Sequence, residues 1–510
     1  MSTEPQSPDG APTAPRQRAL IMVTVILASA MYSGDLSLVA IAIPHMQGAF
    51  SATPDEISWV ATAFVLGSAA MIVTTGWLAA RVGAKRLFLV SIASFATLSI
   101  MAAQATTLQE EILLRLGMGA VGAPIQPLCQ MIVMNAYPRE QHGRALATWS
   151  LGIMVSPILL LPASGFIVDM FGWSGVFYMT LPFGTLAFLG AIAFVPRTQP
   201  EASRGLDWLG LSLLITLFAL LQFVLSRGGR LDWFDSSPIV GSLAISALCV
   251  YVLVLHLATA RAPLIPPDLF RNRNFSFGLA ATFVFGATNM TIIILLPLLQ
   301  RNQLGYPVEF VGIIMAVRML GSMLGQYIVS VLISRVDPRH LIAAGTLCAG
   351  TSTWIMAGWS LDVAPLQILL PIVLHGISGG STWVCLNSLT ASTLDARLRP
   401  HGIPIYFLTF NVGFSFGVAA ILTYWSNSTQ ANYARLSEYV NLFNRALQAP
   451  FSGGGKDGVD PAATAQIASE ITRQASMIAY NNTFVVVTVA SLLVIPLAYL
   501  LKDPGWRRRR

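Results

Sequence analysis

The sequence predicts an all-α polytopic membrane protein, with two parallel six-helix halves and a two-helix insertion between them. Three observations carry that prediction. Of 510 residues, 55% are apolar and only 10% charged, with mean hydropathy +0.66, whereas soluble domains average about 25% charged residues. Fourteen apolar runs reach the roughly 20 residues a helix needs to cross a bilayer. Basic residues crowd into alternate loops between those runs. Together these exclude a soluble enzyme, a disordered chain, a collagen-like repeat and a disulfide scaffold. The runs lack the period-2 alternation of a barrel, so they are helices.

In chain order, residues 1–18 form a polar, Pro-rich tail with Pro5, Pro8, Pro12 and Pro15. No small-residue cleavage pattern follows it, so the first span is read as retained. Spans at 19–43, 56–80, 86–106, 112–136, 144–168 and 174–196 make an N-terminal bundle over 19–196. Spans at 207–226 and 237–257 make an inserted hairpin within 197–262. Spans at 275–300, 308–331, 340–360, 364–388, 403–424 and 478–501 make a C-terminal bundle over 263–501. Its long outer loop covers 425–477, where Tyr433, Leu436, Tyr439, Leu442 and Phe443 recur at helical spacing before Gly453 to Gly455 breaks the pattern and 461–477 resumes a helix-like composition, which reads as a short helical hairpin. A basic tail, 502–510, closes the chain.

With both termini inside, twenty-one of the 30 Lys and Arg residues fall in cytoplasmic segments and seven outside. That asymmetry orients the protein and accounts for the net charge of +7 and pI near 9.4 without nucleic acid. The loop Arg81 to Leu87 recurs as Arg335 to Leu341 at the same topological position. Such recurrence implies parallel halves. Gly453 to Lys456 lacks the Ser or Thr that a nucleotide-binding loop needs, since Asp457 follows the lysine. Cys129, Cys249, Cys348 and Cys385 lie in apolar runs and read as small hydrophobes.

Few ionisable residues fall inside the spans: Asp35 in span 1, Arg115 in span 4, Arg318 in span 10 and His375 in span 12. Asp35 is the one acidic residue placed deep in any span, and His256 is placed at the interface without a role. A charge at mid-membrane costs about 2.5–3.5 kcal/mol on insertion scales, so it faces a cavity or a partner. Asp35 sits about 12 Å from the outer end of span 1 at 1.5 Å per residue. Arg115 lies near the outer end of span 4, so the two can meet and serve as a proton-coupling pair. Glycine and proline punctuate the mechanical positions. Gly76, Arg81, Gly83, Lys85 and Arg86 form a tight basic turn, Gly117, Gly119 and Gly122 smooth span 4, and Gly152, Pro157 and Gly165 mark span 5.

The basic turn is similar to the loop-2-3 signature of the major facilitator superfamily. The stretch Gly34 to Pro44 around Asp35 resembles the span-1 motif of that superfamily's fourteen-span drug:proton antiporters. Gly76 to Leu89, Arg227 to Phe234, Pro263 to Phe275 and Gln474 to Phe484 resemble multidrug efflux pumps of that family. Ser156-Pro157 stands where Gly-Pro is usual, Val412 where span 13 often has arginine, and Met118 where a glutamine commonly follows the span-4 arginine. Met118, Arg318 and His375 are the residues expected at the substrate.

The resemblance implies a proton-coupled antiporter without a cofactor or metal, located in the bacterial inner membrane. It would hand amphipathic compounds to a periplasmic adaptor protein and an outer-membrane channel. A specific solute porter is the alternative within transport. A membrane enzyme or receptor is the alternative outside it, disfavoured because no acid–histidine cluster with ligand spacing appears in the spans. Two deep arginines against one aspartate favour substrates with an acidic or zwitterionic group.

Overall fold

The computed structural model describes residues 15–138, 141–197, 207–260, 263–333, 335–395, 397–440 and 461–502. Every regular element among them is helical. The first bundle holds α1 (Pro15–Ala49), α2 (Pro54–Ile72), α3 (Thr75–Val82), α4 (Ala84–Ala102) and α5 (Leu108–Gly122). It continues with α6 (Ile125–Ala136), α7 (His142–Phe171), α8 (Gly175–Met179) and α9 (Leu181–Phe194). The inserted hairpin is α10 (Trp208–Arg227) and α11 (Ser237–Thr259). After a short α12 (Asp268–Arg271), the second bundle holds α13 (Arg273–Asn302), α14 (Val308–Leu332), α15 (Pro338–Met356) and α16 (Pro365–Ser392). It ends with α17 (Arg399–Ser437), α18 (Pro461–Leu492) and α19 (Val494–Leu500).

Eleven stretches among the described residues are long and apolar enough to cross a membrane, or twelve when α2 and α3 count as one span bent by 56°. α15 occupies a further expected position without meeting that test, and α7, whose side chains are only partly within the described set, occupies another. The count of fourteen is therefore not reached by apolar length alone. For α15 the difference is physical: a helix packed inside a bundle need not be as apolar as one that faces lipid. In the outer stretch 425–477, α17 runs on to Ser437 and α18 begins at Pro461. Leu442, Phe443 and the Gly453 to Gly455 run lie outside the described residues, as do Arg204, Arg445, Lys456 and residues 503–510.

Local chemistry sets the helix starts. Thr53 and Glu56 form a reciprocal capping box before α2, Thr107 caps α5, Asn272 caps α13 and Asp337 caps α15. Gly83, at φ +91°, joins α3 to α4 in a conformation that L side chains rarely adopt. Both bundles are drawn together by glycine seams. A Cβ on Gly67 or Gly119 would collide with the Leu116 or Phe64 carbonyl across the α2–α5 contact. The α14–α16 contact repeats this, with Gly325 against the Ile377 carbonyl and Gly380 against that of Ser322.

At the end that carries the α3–α4 turn, here called the basic end, the two bundles share one core. Ile403, Tyr406 and Phe407 of α17 join the first bundle's buried cluster, and Ala147 of α7 joins the cluster of Val329 and Ile333. Gly76 lies directly under the Pro400 backbone, leaving no room for a Cβ. Farther in, the Gln130 amide donates across the bundles to Asn387 at 2.6 Å.

Asp207 anchors the hairpin. Its carboxylate accepts the Gly210 N–H at 2.8 Å, the Leu264 N–H at 3.1 Å and His256 Nε2 at 2.7 Å. His256 thus has a structural partner that its interfacial position did not suggest. Burial pushes the Asp207 carboxyl up, but these donors outweigh it and hold the group below the usual carboxylate range. At the other end of the hairpin, the Trp233 indole donates to Thr423 of α17 at 3.1 Å, and the Arg227 guanidinium lies 4.2 Å from the Trp59 ring centroid of α2. Asp207→Ala removes a cap and should cost about 1–2 kcal/mol near neutral pH. A depressed carboxylate stabilises above its unfolded-state value and loses that effect as pH falls through its folded value. Thermal unfolding in detergent should therefore separate parent and variant at neutral pH and bring them together in acid.

Candidate functional site

The centre of the first bundle holds an ion pair. Arg115 Nη1 lies 2.7 Å from Asp35 Oδ2, and each side chain is 1% exposed. The guanidinium sits 4.6 Å from the ring centroid of Phe64 and 5.8 Å from that of Phe177, in cation–π contact with both. Met118 is fully buried, and its sulfur lies 3.8 Å from Arg115 Nη1. It therefore lines the arginine and neither cavity described below. Removing one partner of such a pair leaves a buried charge uncompensated, at about 3–5 kcal/mol.

The sequence reading missed a second acid. Glu111, placed outside span 4 by the expected boundary at 112, is 0% exposed on α5, and neither of its carboxyl oxygens has a hydrogen-bond partner. The expectation that Asp35 is the one deep acid is therefore corrected: α5 begins at Leu108, four residues earlier than read. The signal that would have found it is the i, i+4 spacing to Arg115, which puts both on one helix face.

The second bundle presents a different arrangement. Arg318 is buried, with Nε donating to His375 Nδ1 at 3.2 Å and Nη2 to Asn289 Oδ1 at 3.2 Å. Among the described residues its hydrogen-bond partners are neutral side chains, and no carboxylate lies within ion-pair distance. His375 and Asn289 face a small cavity, of about the size of one water molecule, lined also by Ser378, Thr382, Thr346 and Phe285. A larger cleft, of about 100 Å³, lies between α2, α10 and α17. Its walls are amphipathic: Tyr32, Phe64 and Phe218 beside Ser68, Gln222, Asn411 and Ser415. Phe64 is thus shared by the cleft and the ion pair. No sequence motif pointed to Gln222 or Asn411, since neutral polar residues in separate spans carry no spacing signal.

The basic turn behaves as a structural latch. Lys85 Nζ donates to the Ile192 and Val195 carbonyls at 2.8 and 2.7 Å, closing the end of α9. Arg81 lies 5.1 Å from the Trp77 ring centroid, and Arg86 is exposed. Gly152 admits the Ile26 side chain of α1. Pro157 and Gly165 fall within α7, but their side chains are outside the described set.

A helical bundle pair with broken spans, glycine seams and charges buried at its centre is the architecture of a membrane transporter. The model described as Major Facilitator Superfamily matches residues 25–418, and the chain belongs to that family. It is 28% identical over 491 residues to the Multidrug export protein EmrB of Haemophilus influenzae, covering 95% of this chain and 96% of that one. It is 26% identical over 492 residues to the Fatty acid resistance protein FarB of Neisseria gonorrhoeae, covering 95% and 97%. In fold it resembles the human organic anion transporter MFSD10 at TM-score 0.59 and 13% identity, covering 94% of this chain and all of that one.

A bulky residue at Gly76 cannot coexist with the Pro400 backbone at the basic end. Gly76→Val should therefore separate the bundles there without unfolding either. The readout is a cysteine pair at Gly143 and Ile333, which face each other across the same junction. Its oxidative cross-linking should fall several-fold in the Gly76→Val background, and unchanged cross-linking would show that the junction tolerates the methyl groups.

Proposed function

We propose that the chain is a proton-coupled antiporter that exports amphipathic compounds by alternating access, in a bacterial inner membrane with both termini cytoplasmic. The observation that carries this reading is the Asp35–Arg115 pair. It is an acid and a base held at 2.7 Å inside the bundle, where neither can be solvated unless the structure rearranges. The likeness to a multidrug export protein over nearly the whole chain supports the direction of transport. Bundles 19–196 and 263–501 rock against each other, with 197–262 as an inserted hairpin. The shared core at the basic end corresponds to closure on the cytoplasmic side. No covalent chemistry is assigned to the chain.

Coupling follows from two states of one acid. Paired with the guanidinium, Asp35 is held as a carboxylate; separated from it inside a dry bundle, it takes a proton. Each rocking step that makes or breaks the pair thus moves a proton. Asp35→Asn should reach the membrane and still exchange substrate down its gradient, yet lose efflux driven by a pH gradient. Retained proton-driven efflux in vesicles would sink this assignment.

The substrate class is read from Arg318. A guanidinium supported by neutral partners has its charge left for an anionic group, which it can hold through two parallel hydrogen bonds once the bundles open around it. The amphipathic cleft by Phe64 suits an aromatic or acyl body. A relative named for fatty acid resistance agrees with such cargo. Lysine lacks the fork geometry, so Arg318→Lys should leave membrane yield intact and selectively lose acidic substrates in a sensitivity panel. Equal loss of every substrate with poor yield would mark Arg318 as helix glue instead.

The stretch between α17 and α18 is proposed to help contact a periplasmic adaptor, which would pass substrate to an outer-membrane channel. Deleting 428–460 should leave transport in isolated vesicles and abolish resistance in cells. Undiminished resistance would remove this role.

A further inference from the structure

We infer that Glu111 is a second proton-carrying carboxyl group, and that Arg115 serves as a shared counter-ion which engages Asp35 and Glu111 in turn. This rests on the proton-coupled reading above but makes its own demand on the structure.

The two acids of the first turn of α5 are built differently. Glu110 is exposed and its role is local: its carboxylate accepts the Thr106 N–H at 3.0 Å and the Thr106 hydroxyl at 3.2 Å. That is ordinary service at a helix N-terminus. Glu111 has no such partner. Its side chain is fully buried, and both oxygens lack hydrogen bonds. Leaving a carboxylate buried and unpaired costs far more than leaving a carboxylic acid there. An acid used only to favour the helix start would point to water, as Glu110 does.

The surroundings are already arranged for exchange. Arg115 stands one turn along the same face of α5 and carries a buried Nε with no partner. Asp35 has one oxygen bonded to the guanidinium and the other, Oδ1, bonded to nothing. One cation thus faces two carboxyl groups and in this conformation is committed to one of them. When Arg115 turns from Asp35 to Glu111, the Glu111 O–H bond breaks and its proton is taken by Asp35, on the free Oδ1. The cluster begins as a neutral acid, a cation and an anion and ends the same way, so its net charge does not change. Buried groups can make that move because no uncompensated charge appears at any stage.

The other titratable and charged groups on the elements around this site do not compete for the proton. From α1 there are Tyr32, whose hydroxyl is paired with Ser68 at 3.0 Å, His45, which is exposed near the far end of the helix, and Arg16 and Arg18 in its first turn at the basic end. From α2 there is Glu56, engaged in its own cap at Thr53. α4 contributes Lys85 and Arg86, both at the basic end, and α8 contributes the exposed Tyr178. Glu111 lies within the first turns of α5, at the end of the bundle opposite the basic turn. It is thus the member of the cluster nearest the side from which an exporter draws protons.

The test is infrared difference spectroscopy on the purified full-length chain at neutral pH, with no substrate needed. The parent should show the carbonyl stretch of a protonated carboxyl group that is lost in Glu111→Gln and shifted in Glu111→Asp. The same band should vanish in Asp35→Asn, because the released guanidinium then pairs with Glu111 and drives off its proton. A band that persists in Asp35→Asn would overturn the exchange, and the absence of any band assigned to position 111 would overturn the proton-carrying role. If Glu111→Gln does not fold, the shift in Glu111→Asp and the loss in Asp35→Asn decide the matter together. Failure of proton-driven efflux in the parent would strike the transport reading instead, which this spectrum does not depend on.

Discussion

A charge inside a membrane must find its partner inside the protein, and much of the first bundle follows from how Arg115 is held. Its guanidinium needs an acid on one side and a polarisable floor on the other. Asp35 supplies the first from α1, and Phe64 and Phe177 supply the second from α2 and α8. Phe64 can come so close only because Gly119, one turn beyond Arg115 on α5, presents no side chain to the Phe64 carbonyl. The glycine seam and the ion pair are therefore one construction. A methyl group at position 119 would be felt as a displaced cation–π contact rather than as a packing defect alone.

The second bundle repeats the seam but not the charge balance. Gly325 and Gly380 bring α14 and α16 together as Gly67 and Gly119 bring α2 and α5. Across that seam stand Arg318 and His375, with Asn289 completing the set and no carboxylate among them. Of two bundles with matching contacts, one encloses an internally neutralised cluster and the other a cation with spare valence. On the proposed reading, that division separates the place where a proton is exchanged from the place where an anion is held. The cleft bounded by α2, α10 and α17 shares Phe64 with the first of these clusters.

The architecture was legible because lipid enforces it: long apolar runs, alternating basic loops and a recurring basic turn needed no three-dimensional information. The Asp35–Arg115 contact was legible for the same reason, since two ionisable residues at similar depth have few other partners. What escaped was whatever depended on a boundary or on neutral groups. Glu111 was lost because hydropathy placed the helix start after it, whereas the Thr107 cap places the start before it. Asn289, Gln222 and Asn411 are uncharged and lie on separate helices, so nothing in their spacing announced them. The inserted hairpin showed its helices in the sequence but not its fastening, because Asp207 and His256 meet only across the two legs.

The 39-residue α17 runs without a break from the basic end to Ser437, about 58 Å at 1.5 Å per residue. A hydrocarbon core of about 30 Å accounts for about half of it, so the helix is longer than one crossing requires. Being continuous with the second bundle, it magnifies that bundle's tilt. A rotation of about 10° about the midplane displaces the far tip by about 7 Å, for a helix of this length. Changes too small to see around a buried side chain would thus become a stroke of molecular size at the tip, available to anything seated there.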